Sequence, residues 1–221
     1  MKLVVSKDIL KVNDKIAEII GEKLENRGVM AVNILGSPGC GKTALIEALV
    51  KNAGDRFKFA VIEGDLATSR DAERIEKLNV PAVQINTGGG CHLDANMVLT
   101  ALDDLDLDYV DVLLIENVGN LVCPAAFKLG ERKRFAALSV PEGDDKVAKY
   151  PTMFQSVDAV VVNKIDLMAY LDFDIRRVEN DLSKLAPGLK PLLVSAKTGE
   201  GIVEFSGLIE KAWNEFQKAQ R

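Results

Sequence analysis

Eight residues, Gly36-Ser37-Pro38-Gly39-Cys40-Gly41-Lys42-Thr43, constrain this chain more than any other stretch. They fit the pattern of a glycine, four residues, then Gly-Lys-Thr. The run before them, Met30-Ala31-Val32-Asn33-Ile34-Leu35, is short and apolar, as a buried parallel strand should be. Behind them, Thr43-Ala44-Leu45-Ile46-Glu47-Ala48-Leu49-Val50 carries apolar residues at helical spacing. A glycine-rich loop between strand and helix aims backbone N–H groups and the positive end of the helix at one place. Phosphate oxygens suit that place. The backbone of Ser37, Gly39, Cys40 and Gly41 would cradle them, Lys42 would reach the outer phosphates, and the Thr43 hydroxyl would join a magnesium shell. A plain glycine-rich turn with a chance lysine is the competing reading, and the strand–loop–helix context argues against it.

The surrounding composition limits what such a loop can serve. A chain of 221 residues is long enough for one well-buried domain. Its net charge of −5, without a basic block, gives no nucleic-acid footprint. No apolar run approaches the ~20 residues of a membrane span, and the first eight residues lack the apolar core of a signal peptide. Three cysteines without disulfide-like spacing suit a reducing cytoplasm, the expected location.

The order of elements predicts a doubly wound α/β fold. Residues from Ser6 to Arg27 read as an amphipathic helix, with Ile9, Val12, Ile16, Ile19, Ile20 and Leu24 at helical spacing and Asn26-Arg27-Gly28 as the stop. It precedes the first strand, so 1–28 reads as a helical extension to the fold, and the sequence leaves open whether it packs on the sheet or on a partner. Strands are expected at 57–65, 82–86, 109–117, 135–140, 159–163 and 191–195, with helices between them at 69–79, from 95 to about 105, and from 202 to 220. Strands alternating with helices argue a mostly parallel sheet, and without repeats or long linkers residues 1–221 read as a single domain.

Asn163-Lys164-Ile165-Asp166 directly follows an apolar strand. The Asp166 carboxylate would accept from the N1–H and exocyclic amine of guanine, a pairing adenine cannot make, with Asn163 and Lys164 beside it. Ser195-Ala196-Lys197 closes the next strand, where a backbone N–H would meet the guanine oxygen. A four-letter pattern alone is weak; its order after the phosphate loop and its companion loop make GTP the expected nucleotide. Two acids at strand ends, Asp65 and Glu116, are the expected magnesium and catalytic carboxylates alongside Lys42. A helix N-cap is the alternative for Asp65. Gly119, in Glu116-Asn117-Val118-Gly119, is placed to sense the γ-phosphate. No glutamine stands ready to orient the attacking water, so intrinsic hydrolysis should be slow.

Cys91, His92 and Cys123 form a third group. Thiolates with an imidazole are ligands for nickel or zinc. Three do not close a tetrahedral site, so a second chain, water or another metal would complete it. Two buried thiols and a surface histidine remain an equal alternative at this point.

Taken together, the phosphate loop, Glu63-Gly64-Asp65, Thr87-Gly88-Gly89-Gly90-Cys91-His92-Leu93-Asp94-Ala95, Glu116-Asn117-Val118-Gly119-Asn120-Leu121-Val122-Cys123-Pro124 and Asn163-Lys164-Ile165-Asp166 resemble the HypB family. Those GTPases help deliver nickel to nickel–iron hydrogenase. The resemblance runs from about Ser6 to the C-terminus and implies a P-loop GTPase of the signal-recognition-particle/MinD class. It implies a homodimer with Cys91, His92 and Cys123 at the subunit interface, and Lys149 reaching the guanine bound by the partner. It implies as partners a hydrogenase large-subunit precursor and other nickel-insertion accessory proteins, with no nucleic acid and no membrane. The cysteine-rich or histidine-rich nickel motifs of some members are missing, since Met1–Lys11 holds neither Cys nor His. Rival readings are an accessory GTPase for urease or a cobalamin-dependent mutase, and a zinc-sensing GTP-regulated recruitment module.

Overall fold

The computed structural model describes residues 5–64, 74 and 77–220. Asp65 and most of the helix expected at 69–79 lie outside the described residues.

Seven strands make one sheet: β1 (Met30–Gly36), β2 (Phe59–Glu63), β3 (Ala82–Gln84), β4 (Val112–Glu116), β5 (Lys133–Ser139), β6 (Ala159–Asn163) and β7 (Pro191–Leu193). Their order is β3-β2-β4-β1-β5-β6-β7, and every adjacent pair is parallel. Burial on both faces explains why β1, β2, β4 and β6 read as unbroken apolar runs. β2, β4 and β7 are shorter than the sequence suggests. β2 stops at Glu63, and Ser195 lies in the turn beyond β7.

Helices cover both faces. On one, α2 (Lys42–Ala53) and the C-terminal helix (Ile202–Ala219) bury Leu45, Ile46, Leu49, Phe205, Ile209 and Phe216 against the sheet. On the other lies α1 (Val5–Glu25), packed through Ala17, Ile20 and Leu24 on Ala31, Leu113 and the short helix Ala95–Ala101. Burying each large aliphatic side chain stabilises by roughly 1.5–3 kcal/mol, which decides the question the sequence left open: α1 belongs to this sheet. It ends as expected. Gly28 takes a left-handed φ of 69°, its N–H donates to Glu25, and the Val29 N–H reaches back to Leu24 at 2.9 Å. Ile9, Val12 and Ile19 stay exposed. Gly130, at φ 81°, lies so close beneath α1 that a Cβ there would meet Ile20 Cγ2 at 2.5 Å.

Because all strands run one way, Gly36, Glu63, Glu116, Ser139 and Asn163 finish at the same carboxyl edge. The chain leaves β1 towards β4 and β2 on one side and reaches β5 on the other, so the phosphate loop sits where strand order reverses, the usual ligand crevice of such sheets.

Candidate functional site

The phosphate loop holds its shape through two left-handed glycines, Gly39 at φ 77° and Gly41 at φ 97°. At Gly41 a Cβ would lie 2.5 Å from Asn163 Nδ2, so the close approach itself requires glycine. The Cys40 N–H donates to the Ser37 carbonyl at 3.3 Å, and the buried Lys42 ammonium reaches the same carbonyl at 3.5 Å. Cys40 is buried, and burial pushes its thiol up to about 11 against the pull of Lys42, which makes it an inert packing group. One neighbour escaped the sequence reading. The Ser37 hydroxyl donates to Glu142, whose other oxygen accepts from the Ser139 N–H at 2.7 Å and the Ser139 hydroxyl at 2.6 Å. Burial raises the Glu142 carboxyl, with the Ser139 bonds opposing. Ser139-x-x-Glu142 is a capping-box spacing, a signal that was present in the sequence.

Thr43 and Glu116 meet: the hydroxyl donates to Glu116 Oε1 at 2.9 Å. Glu116 is 1% exposed and stands in register with the equally buried Glu63 on β2. Hydroxyl and carboxylate oxygens beside a phosphate loop are the hard donors magnesium takes, so the donor set fits that ion. Glu63 is a second carboxylate at this edge that the sequence reading passed over in favour of Asp65.

The base-side loops are braced on the phosphate loop. Asn163 donates from Nδ2 to the Cys40 carbonyl at 3.0 Å, while its Oδ1 accepts from the N–H groups of Lys164 at 2.8 Å and Ala196 at 3.1 Å. Its amide ties three loops together. Lys164 adopts a left-handed φ of 62° and its ammonium donates to the Gly39 carbonyl. Ser195 Oγ donates to Asp166 Oδ1 at 2.7 Å, fixing that carboxylate, and the Ser195 N–H goes to Glu200 at 2.9 Å. Lys197 is exposed in the turn that follows. Lys149 is also exposed and pairs with Asp145 at 2.5 Å; that pairing raises the Lys149 ammonium and lowers the Asp145 carboxyl.

Cys91, His92 and Cys123 converge, their ligand atoms all within 4.8 Å of one another. The expectation of two buried thiols fails, since Cys91 is exposed and Cys123 half-buried. Cys91 Sγ lies 3.5 Å from His92 Nδ1, and the imidazole stacks on Phe127 with ring centroids 3.9 Å apart. Burial lowers the His92 pKa, Asp94 opposing, which favours the neutral ligand form. A hydrogen bond with Cys91 raises the Cys123 thiol, as two sulfurs competing for one proton should.

Beneath this cluster runs a buried polar network. Asn117, fully buried, accepts from the Leu93 N–H at 3.2 Å and the Val118 N–H at 2.9 Å, and donates to Asn33 Oδ1 at 3.3 Å. Asn33, inside β1, donates to Glu131 Oε1 at 3.1 Å. Glu131 pairs with Arg134, whose guanidinium also donates to the Ala125 carbonyl at 3.1 Å and the Phe127 carbonyl. Those side chains are 3% and 12% exposed, so deleting either partner strands a buried charge at about 3–5 kcal/mol. Asn13 of α1 joins the same region, donating to the Lys128 carbonyl and accepting from the Ala95 N–H, both at 2.8 Å.

The chain is similar to known proteins. The family described as CobW/HypB/UreG, nucleotide-binding domain, matches residues 30–192. The chain is 46% identical over 211 residues to the probable hydrogenase maturation factor HypB of Methanocaldococcus jannaschii, covering 96% of each. It superposes on the crystal structure of HypB from Helicobacter pylori in complex with nickel with a TM-score of 0.87, 43% identity, and 92% and 95% of the two chains covered. The signal recognition particle receptor FtsY of Elizabethkingia anophelis shares the fold alone, at a TM-score of 0.55, 15% identity, and 80% and 65% coverage.

Proposed function

This chain belongs to the HypB family, within the CobW/HypB/UreG nucleotide-binding proteins, and from that premise we propose that it is a GTP-hydrolysing metallochaperone coupling GTP binding and dimerisation to nickel delivery in nickel–iron hydrogenase maturation. The observation that carries the reading is the convergence of Cys91 and His92 on Cys123, which lies a few residues beyond the nucleotide acid Glu116. Nickel is the cargo; two thiolates and an imidazole hold it loosely enough to hand on, because a fourth position is left for another donor.

In this reading Ser37, Gly39, Cys40, Gly41 and Lys42 hold the phosphates, and Asp166, fixed by Ser195, selects guanine, with Ala196 and Lys197 flanking the base. Asn163 and Lys164 act by bracing the loops against one another. Magnesium, when bound, neutralises charge on the outer phosphates; Thr43 and Glu116 would hold it, with Asp65 assigned there by the sequence. Gly119 stands against Pro38, where a Cβ would come within 2.8 Å of the Pro38 Cα, so a γ-phosphate entering beside the loop presses on the segment leading to Cys123. The metal completes its shell from a second copy, and the exposed Lys149 reaches across to the partner's guanine. No described helix is long and apolar enough to cross a membrane. The partner in this reading is a cytoplasmic hydrogenase large-subunit precursor, with other nickel-insertion accessory proteins.

The test is activation of a nickel-free hydrogenase precursor by the purified protein with nickel and GTP. Activation that needs both, and fails with a non-hydrolysable analogue, supports the reading; activation indifferent to this protein removes it. Precursors of a nickel urease and a cobalamin-dependent mutase, run in parallel, separate the rival metallocentres.

A further inference from the structure

We propose that Asn33, Glu131 and Arg134 are positioning residues that carry the state of the nucleotide site to the Cys123 side of the metal cluster, an inference that rests on the coupled function proposed above. None of the three touches nucleotide loop or metal cluster directly. Each nonetheless sits on a continuous buried path between them.

The path divides at Asn117, the residue after Glu116. One branch is short: Asn117 Oδ1 holds the Leu93 N–H, and Leu93 is the neighbour of His92. The other runs from Asn117 Nδ2 through Asn33 to Glu131 and Arg134, and ends on the carbonyls of Ala125 and Phe127. Ala125 lies in the tight turn Cys123–Ala126 that presents Cys123. Phe127 is the ring stacked on His92. The two branches therefore close on the same cluster from opposite sides, one setting His92, the other setting Cys123 and the ring behind the imidazole.

A displacement of Asn117 changes one separation, that between His92 and Cys123. Gly119 already stands tight against Pro38, and in the function proposed above a γ-phosphate entering beside it would produce such a displacement. Packed interiors answer by switching between discrete arrangements rather than by bending gradually. Asn33 lies on β1, the strand that delivers the phosphate loop, so the relay is anchored on a strand paired along both edges, by β4 and β5. Contiguity is a spatial fact; the coupling is read by experiment.

The measurement is nickel affinity of the full chain with and without a magnesium-bound, non-hydrolysable GTP analogue, the ratio being the linkage factor. In the parent chain it should fall within the about 5–150-fold range usual for coupled sites. Asn33→Ala removes the joint while Asn117 keeps Leu93 and Val118, and Glu131 keeps Arg134 and Leu129. Its affinities for each ligand alone should stay close to the parent's, and its linkage factor should fall below about twofold. Arg134→Lys keeps a charge opposite Glu131 but cannot hold both carbonyls; its nucleotide affinity should survive and its linkage factor should fall as well. It decides the matter alone if Asn33→Ala does not fold. A folded variant of either kind with the parental linkage factor overturns the relay and leaves the function intact. A parent chain with no linkage overturns the coupled function itself, and the relay with it.

Discussion

The amide of Asn163 donates to the carbonyl of Cys40 at 3.0 Å, joining the loop that would read the base to the loop that would hold the phosphates. In the function proposed above, base recognition and phosphate binding would share one brace, and Asp166, its carboxylate held by Ser195, would choose the base.

Asp166→Asn should replace an acceptor by an amide whose donor faces guanine donors. The lost charged bonds are worth about 3 kcal/mol, or roughly a hundredfold in GTP affinity, and xanthosine triphosphate should gain what GTP loses. Ser195→Ala should weaken GTP less, about tenfold, by freeing the carboxylate. Titration with both nucleotides checks this; unchanged GTP affinity in Asp166→Asn would remove guanine from the assignment.

Binding and turnover should separate at the phosphates. Lys42→Ala should weaken triphosphate binding about 10–100-fold. Glu116→Ala should bind GTP nearly as well but turn over about 10²–10³-fold more slowly and lose its response to magnesium. Single-turnover assays across magnesium concentrations distinguish the two, and parental turnover in Glu116→Ala would mean that the ion is held elsewhere.

Most of the fold was legible because parallel strands buried on both faces leave unbroken apolar runs, and motif order fixed the crevice. Three kinds of residue were hidden. Asn33 sits within such a run and reads as noise until its partners are seen. Glu131 and Arg134 look like loop charges, since their pairing is made across a turn and against backbone carbonyls. Asn163 was expected beside a base, and its amide also bonds three backbone groups, which no sequence pattern announced. Strand ends also moved: β2 halts at Glu63, and the helix expected to run to about Leu105 gives way at Leu102 to a tighter turn.

Nickel binding should strengthen as pH rises through neutrality. Protons compete with the metal for His92 and for both thiols. His92, lowered by burial, should be neutral already in the mildly acidic range where an ordinary histidine still carries charge. Cys123, raised by Cys91, should release its proton only on metal binding or at higher pH. The upper part of the pH profile should thus belong to the thiols. His92→Ala should weaken binding while keeping that upper limb, and a profile flat from pH 6 to 9 in the parent would exclude thiolate ligation. Sedimentation of Cys91→Ala, His92→Ala and Cys123→Ala should show metal-dependent association abolished, with GTP affinity of the monomer retained.

Gly130→Ala should loosen α1. The new Cβ would meet Ile20 Cγ2 at 2.5 Å and the Ala17 carbonyl at 2.8 Å, at a φ of 81° that side chains avoid. Backbone strain and overpacking together should cost roughly 2–4 kcal/mol. A urea titration should show a lower midpoint at unchanged slope; an unshifted midpoint would mean that α1 contributes little to the folded core.

The strand order has a consequence for how the molecule comes into being. Of these seven strands β1 is synthesised before the others, yet its neighbours are β4 and β5, so its second edge waits until residues 133–139 have emerged. Until β4 has emerged that apolar strand stands without lateral support, and until β5 has emerged it is paired on one edge only, in a topology whose distant pairings make folding slow. The nucleotide crevice should consequently form late. Free GTP in the surroundings would then act on the nascent chain as a ligand for the finished state alone, drawing late intermediates towards it by mass action.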